Sequence, residues 1–190
     1  MSNFILTVLL VIIVVIVFVI LIYNSIISSK NKVEENKSTI SVYLQKRYDL
    51  IPNLVEIIKK YMEYEKGLLR EITELRTNLV SNSWDFSKDR FSKENQLSNA
   101  LKTIFAVWEN YPDLKANQSF VNLQKEWADI EDNIAAARRS YNAAIKVLND
   151  KKLMIPYNFF ASRMNIPEYP YFEAEDKAKE KIDINKLFNK

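Results

Sequence analysis

The chain contains neither cysteine nor histidine in 190 residues. Those two absences exclude thiolate and imidazole zinc sites, disulfides, cysteine nucleophiles, iron–sulfur clusters and every histidine-based acid/base mechanism. A single glycine, Gly67, leaves no phosphate-cradling loop of the Walker or dinucleotide type, because side chains block the close backbone approach those loops need. No serine lies in a nucleophile elbow, for the same lack of neighbouring glycines. The net charge of +3 is too small to argue for a nucleic-acid partner. Neither a cofactor nor a metal is expected, and the chemistry left to a chain of one-domain length is anchoring, holding or binding.

What is present begins with a long apolar run. Phe4 to Tyr23 is interrupted only by Thr7. Twenty residues at about 1.5 Å rise span roughly 30 Å, the thickness of a bilayer's hydrocarbon core. The run is rich in Val and Ile, but in lipid only a helix satisfies its own backbone. Tyr23 stands where an interfacial aromatic belongs. A cleaved signal peptide is the rival, and it fits poorly: no basic residue precedes the run, the run is too long, and no good small-x-small site follows. Lys30, Lys32 and Lys37 follow the span, so the positive-inside rule sets the N-terminus outside and the body in the cytoplasm. All charged residues lie after Ser29, which makes the body a water-soluble unit tied to the span. The expected organisation is a short segment 1–3, a transmembrane helix 4–23, a juxtamembrane stalk 24–32, a helical domain 33–175 and a charged mobile tail 176–190. With no Gly or Pro in 24–32, the span is expected to run straight into the first helix of the domain.

The body carries helical periodicity. Phe120, Leu123, Trp127, Ile130, Ile134, Ala137, Tyr141, Ala144 and Leu148 follow an unbroken 3-4 spacing, an a/d seam over four heptads. Asn117 suits the N-cap, and Pro156 stops the helix near Met154 or Ile155. A second series runs Ile40, Leu44, Arg47, Ile51, Leu54, Ile58, Tyr61, Glu65, Leu68, Ile72, Leu75 and Leu79. Its charged members, Arg47 and Glu65, are expected to keep their head groups exposed, since burial would require partners. Pro52 lies inside this series and removes the bond to the Tyr48 carbonyl at a cost of about 3 kcal/mol. The apolar phase continues across it, so a kinked continuous helix is expected, with a helix–helix junction as the alternative.

A shorter helix is marked by Leu97, Leu101, Ile104, Phe105 and Trp108, with Ser92 as its cap and Pro112 beyond its end. Ser81–Asn95 reads as a loop, with Trp84, Phe86 and Phe91 packing on the bundle end. Tyr111–Ala116 is a tight connection between antiparallel neighbours. Asn158–Met164 suits a short helix, and Ile166–Phe172 an extended aromatic segment. No strand alternation of useful length occurs. The acidic residues Glu126, Asp129 and Asp132 sit beside the last seam, not within it, and read as solvated surface.

Four separated strings resemble the LemA family of bacterial membrane-anchored helical proteins. The first is Gln45-Lys46-Arg47-Tyr48-Asp49-Leu50-Ile51-Pro52-Asn53-Leu54-Val55-Glu56. The second is Tyr111-Pro112-Asp113-Leu114-Lys115-Ala116-Asn117, followed by Phe120 and Leu123-Gln124. Ile134-Ala135-Ala136-Ala137-Arg138-Arg139-Ser140-Tyr141-Asn142 and Pro170-Tyr171-Phe172 complete the set. The resemblance covers Tyr23 to Glu175 and departs at Asn158–Met164, where the family often has a Gly- and Leu-rich stretch. It implies an antiparallel four-helix domain on one N-terminal anchor. A branch of the family is associated with magnetosome membranes, which points to membrane organisation.

The expected fold is therefore all-α: a transmembrane helix, then an antiparallel four-helix bundle of long helices, one kinked at Pro52. Tyr48, Asp49, Pro52, Asn53, Arg138, Tyr141, Asn142, Tyr171 and Phe172 are the candidates for partner contacts or for inter-helix bonds that fix register. Tyr169, Tyr171 and Phe172 are expected to be exposed aromatics. The expected role is a non-catalytic, single-pass scaffold whose partners are the bilayer and another membrane-proximal protein, or a second copy. The alternative is a membrane-tethered sensor that binds a small ligand.

Overall fold

The structure, a computed structural model, describes residues 1–62, 64–82 and 85–173. The charged tail 176–190, the domain end near Glu175 and Trp84 lie outside the described residues. Six α-helices are present among them: α1 (Ser2–Lys59), α2 (Lys66–Ser81), α3 (Lys88–Val107), α4 (Pro112–Lys115), α5 (Gln118–Leu153) and α6 (Tyr157–Ala161). No strand occurs among the described residues. The chain separates into two compact units, Met1–Leu44 with Glu131–Tyr169, and Gln45–Ile130 with the described part of Pro170–Lys190.

In the first unit, α1 begins with residues that bury no face. Val14 is 59% exposed and Phe18 52%, and the exposure is similar all round the helix. A helix apolar on every side and uncovered by protein is long and apolar enough to cross a membrane. Burial starts at Ile22 and continues through Ile26, Ser29, Val33 and Ile40, a single stripe at 3-4 spacing. The segment 24–32 carries Ile26 and Ser29 of that stripe. It faces α5 in antiparallel register. Asn36 donates to the Ser140 carbonyl at 3.5 Å, and eleven residues earlier on α1 the Ser25 carbonyl accepts from Lys151 Nζ at 2.9 Å. From α5 the unit buries Ile134, Tyr141, Ile145 and Leu148. Ala161 of α6 closes over Ile22 and Ile26, with Tyr157, Phe160, Met164 and Ile166 packed around them.

In the second unit, α1 continues through Pro52 without interruption, so no helix–helix junction occurs there. The break falls later, between Lys59 and Lys66, inside what the spacing alone treated as one series. Ile51, Leu54 and Ile58 are buried on α1, and α2 buries Leu69, Ile72 and Leu79 while Leu68 and Leu75 are only half-buried. After the reversal α2 is covered by α3 and meets α1 where Arg76 reaches the Tyr48 carbonyl. Helix α3 is capped by Ser87, whose hydroxyl accepts from the Arg90 amide, and not by Ser92. Its buried face includes Leu97, Leu101, Ile104 and Phe105. The connection to α5 holds one turn of helix, α4, with Pro112 at its first position and Leu114 buried. Trp127 lies half-buried and stacked on Phe105, ring centroids 4.5 Å apart, a packing role within the seam.

Asn117 caps α5: its Oδ1 accepts from the amides of Ser119 (3.0 Å) and Phe120 (3.2 Å), while its Nδ2 donates to the Tyr61 hydroxyl (3.2 Å). Asn117→Ala should cost about 1 kcal/mol through the lost cap. Urea unfolding of the full-length protein in detergent checks this, and an unchanged midpoint with an unchanged slope would contradict it.

Candidate functional site

Pro52 has no amide hydrogen, so the carbonyl of Tyr48 loses the donor that every neighbouring turn enjoys. Arg76 of α2 supplies one: its Nε donates to that oxygen at 2.8 Å. The proline therefore creates a docking point for the next helix.

The side chain of the same residue enters a buried ionic cluster. Arg47 and Glu94 have no exposed side-chain surface, Arg90 has 5% and Tyr48 1%. Arg47 Nη2 pairs with Glu94 Oε2, and its Nη1 donates to Ser98 Oγ at 2.6 Å. The Tyr48 hydroxyl donates to Glu94 Oε1 and accepts from Arg90 Nη2 at 3.0 Å. Arg90 Nη2 also lies 3.2 Å from Glu94 Oε1. Arg90 Nη1 reaches the carbonyls of Leu79 (3.3 Å) and Asn82 at the end of α2.

Two guanidinium groups thus share one carboxylate, leaving an excess positive charge. The carbonyls at the negative end of the α2 dipole face Arg90 and offset it. Burying such charges costs several kcal/mol each unless every lone pair and proton is used. Here Glu94 accepts from three groups on two helices, an arrangement that fixes register between α1, α2 and α3.

The expectation that Arg47 would keep its head group in water is corrected. An apolar seam position holds a charge because α3 presents Glu94 to it. Glu94, Arg90, Ser98 and Arg76 escaped the sequence reading. The signal was available: Arg90, Glu94 and Ser98 recur every fourth residue on one side of α3, next to Leu97 and Leu101.

The other candidates are distributed over the two units. Asp49 is exposed and accepts from Gln45 Nε2 at 2.8 Å; Pro52 and Asn53 are exposed on α1. Phe172 is buried, not exposed, and stacks on Phe91 with centroids 3.8 Å apart. Asn95 Nδ2 donates to the Glu173 carbonyl nearby (3.3 Å), pinning that segment to α3. Tyr171 is 39% exposed. These belong to the second unit. In the first, Tyr141 is fully buried on α5 with Arg138 and Asn142 half-buried beside it. Tyr169 is half-buried, and its hydroxyl donates to Glu34 Oε1 at 2.6 Å. Glu126, Asp129 and Asp132 are exposed, and no group of three metal-capable side chains forms among the described residues.

Burial, with the Glu34 charge second, pushes the Tyr141 phenol up from 10.0 to about 12. Burial also raises the phenol of Tyr48, with Glu94 adding to it, and that of Tyr169, with Glu34 adding to it.

The model of the LemA family matches residues 36–185 of the chain. Protein LemA of Metamycoplasma hominis is 23% identical over 166 residues, covering 87% of this chain and 75% of the relative. Magnetosome protein MamQ 2 of Paramagnetospirillum magneticum is 22% identical over 190 residues, with 87% and 70% covered. Magnetosome protein MamQ of Magnetospirillum gryphiswaldense is 19% identical over the same shares.

Two expectations follow. Glu94→Ala leaves two buried guanidinium groups uncompensated and should lower stability by about 3–5 kcal/mol. Replacing the pair together, Arg47→Met with Glu94→Leu, should cost clearly less than the two single changes summed. A double-mutant cycle on denaturant midpoints tests this, and strict additivity would contradict a coupled pair.

The tyrosines set the second. Their folded pKa lies above the unfolded value, so the native state holds protons that the unfolded chain gives up. Their contribution is intact below pH 10.0 and is lost as pH rises through the folded value, which for Tyr141 is about 12. In an ultraviolet titration, Tyr48, Tyr141 and Tyr169 should stay silent until helical circular dichroism falls. Ionisation of all ten tyrosines near pH 10.0 with the helices intact would contradict this.

Proposed function

The chain belongs to the LemA family, and from that premise we propose that it is a non-catalytic scaffold, held by one membrane span, whose helical domain binds other proteins at the membrane surface. The observation that carries this reading is α1 itself. The helix that is apolar and uncovered over its first twenty residues is, without a break, the helix that bears Arg47, Tyr48 and the Tyr48 carbonyl docking point. Anchor and domain share one element. Confinement to two dimensions raises the domain's effective concentration towards other membrane components. The buried ionic cluster spends most of its donors and acceptors within itself and on the α2 carbonyls, which suits a lock between helices and leaves partner contacts to the exposed faces. Two relatives are named magnetosome proteins, and a role in membrane organisation extends that to this chain by family likeness.

Lys30, Lys32 and Lys37 support a cytoplasmic domain with the N-terminus outside. Among the candidates for partner contact, Asp49, Asn53 and Tyr171 are exposed. Phe172 is spent on Phe91, so its removal would disturb packing before it disturbed a partner.

A second reading, a ligand sensor, is favoured by one feature of the second unit. A groove of about 690 Å³ lies at the α1–α2 reversal, lined by Lys59, Met62, Lys66, Leu69, Arg70, Thr73 and Glu74, within the size range of small-molecule sites. Ligand-dependent thermal shifts of the full-length protein that Met62→Trp abolishes would favour it.

Photo-crosslinkers at Asn53, Val121 and Tyr171 in native membranes test the scaffold. A discrete second protein captured from these positions is expected. Adducts between copies alone would make the scaffold self-assembling, and no adduct at any position would count against partner binding.

A further inference from the structure

The turn between α5 and α6 carries four large apolar side chains in the open. Leu153 is 79% exposed, Met154 58%, Ile155 86% and Phe159 59%. Large apolar side chains exposed together and rimmed by polar residues mark a surface that meets something apolar. The rim is present. Lys152 adjoins the patch, and the exposed Arg163 lies 3.9 Å from the Phe159 ring centroid while donating to the Phe159 carbonyl at 2.8 Å.

The level of this turn identifies what meets it. Lys151 is fastened to Ser25, with bonds of 2.9 Å to the carbonyl and 2.8 Å to the hydroxyl. The antiparallel register between α1 and α5, carried two residues further, sets Leu153 beside Tyr23. Behind the turn, Ala161, Tyr157 and Phe160 pack on Ile22 and Ile26. The turn is therefore held at the end of the apolar segment 4–23, where a spanning helix leaves the hydrocarbon core.

Resting on the membrane-anchor reading above, we propose that the α5–α6 turn is a second membrane contact: Leu153, Met154, Ile155 and Phe159 enter the bilayer leaflet that α1 leaves. Lys152 and Arg163 sit among anionic headgroups, their stems lying along the apolar side chains. The same anchor that tethers the chain delivers the turn to lipid, so no independent affinity is required. A second contact beside α1 resists rotation of the domain about its single span.

The chain has no cysteine, so one introduced thiol reports alone. Full-length Ile155→Cys, labelled with the fluorophore NBD, is reconstituted at low protein density in vesicles of phosphatidylcholine and phosphatidylglycerol. Labels at Val14→Cys in the span and Val42→Cys, exposed further along α1, are compared with it. The Ile155 label should emit to the blue of the Val42 label, escape iodide, and be quenched by nitroxides on the upper acyl chain. Phe159→Cys should behave likewise, and circular dichroism confirms that each variant is folded. An Ile155 label as open to iodide as that at Val42 would overturn the proposal. Shielding that grows with protein density would assign the turn to a second copy and overturn it too. A water-exposed Val14 label would instead overturn the anchor reading itself.

Discussion

Tyr48 is where three helices are tied. Its carbonyl, stripped of an intrahelical donor by Pro52, takes one from Arg76 on α2. Its hydroxyl gives a proton to Glu94 and takes a bond from Arg90, both on α3. A proline in a helix costs about 3 kcal/mol, but a hydrogen bond from a charged donor returns about 1.5–3 kcal/mol of that. The strain of the proline is thus converted into specificity: only a helix that brings an arginine to the right height closes the gap.

The rest of the second unit follows from that tie. Arg90 cannot leave the α2 carbonyls without uncovering a charge, and Glu94 cannot move without stranding two guanidinium groups. Apolar contacts alone allow helices to slide by a turn at modest cost, since one leucine replaces another. Ionic groups at fixed heights do not allow it, because each misplaced charge is buried without a partner. The Phe91–Phe172 stack brings the end of the described chain onto the same helix, α3.

The first unit achieves register differently. Its ties are at its edges: Lys151 on Ser25, Asn36 on Ser140, Tyr169 on Glu34. Between them the seam is aliphatic, with Tyr141 the one large phenol inside. The apolar start of α1 buries nothing within the protein, whereas Ile22 onward is covered by α5 and the α6 segment. The boundary between the uncovered and the protein-covered stretch of α1 therefore falls within a few residues.

The sequence by itself determined the elements that depend on neighbours along the chain. The apolar segment, the α5 seam from Phe120 to Leu148, the Asn117 cap, the all-helical class and the continuity of α1 through Pro52 are all local consequences of spacing and propensity. Tertiary structure alone decided what depends on residues far apart. The reversal after Lys59 was hidden because the 3-4 phase persists across it, and only the return of α2 onto α1 reveals the break. Arg47 was read as exposed because desolvation opposes burial, and its partner Glu94 lies 47 residues away. Phe172 was read as exposed because an aromatic in an extended segment looks the same whether it faces water or Phe91. Periodicity records which face of a helix is covered, while the identity of the covering group is set by the packing of helices that the chain folds together.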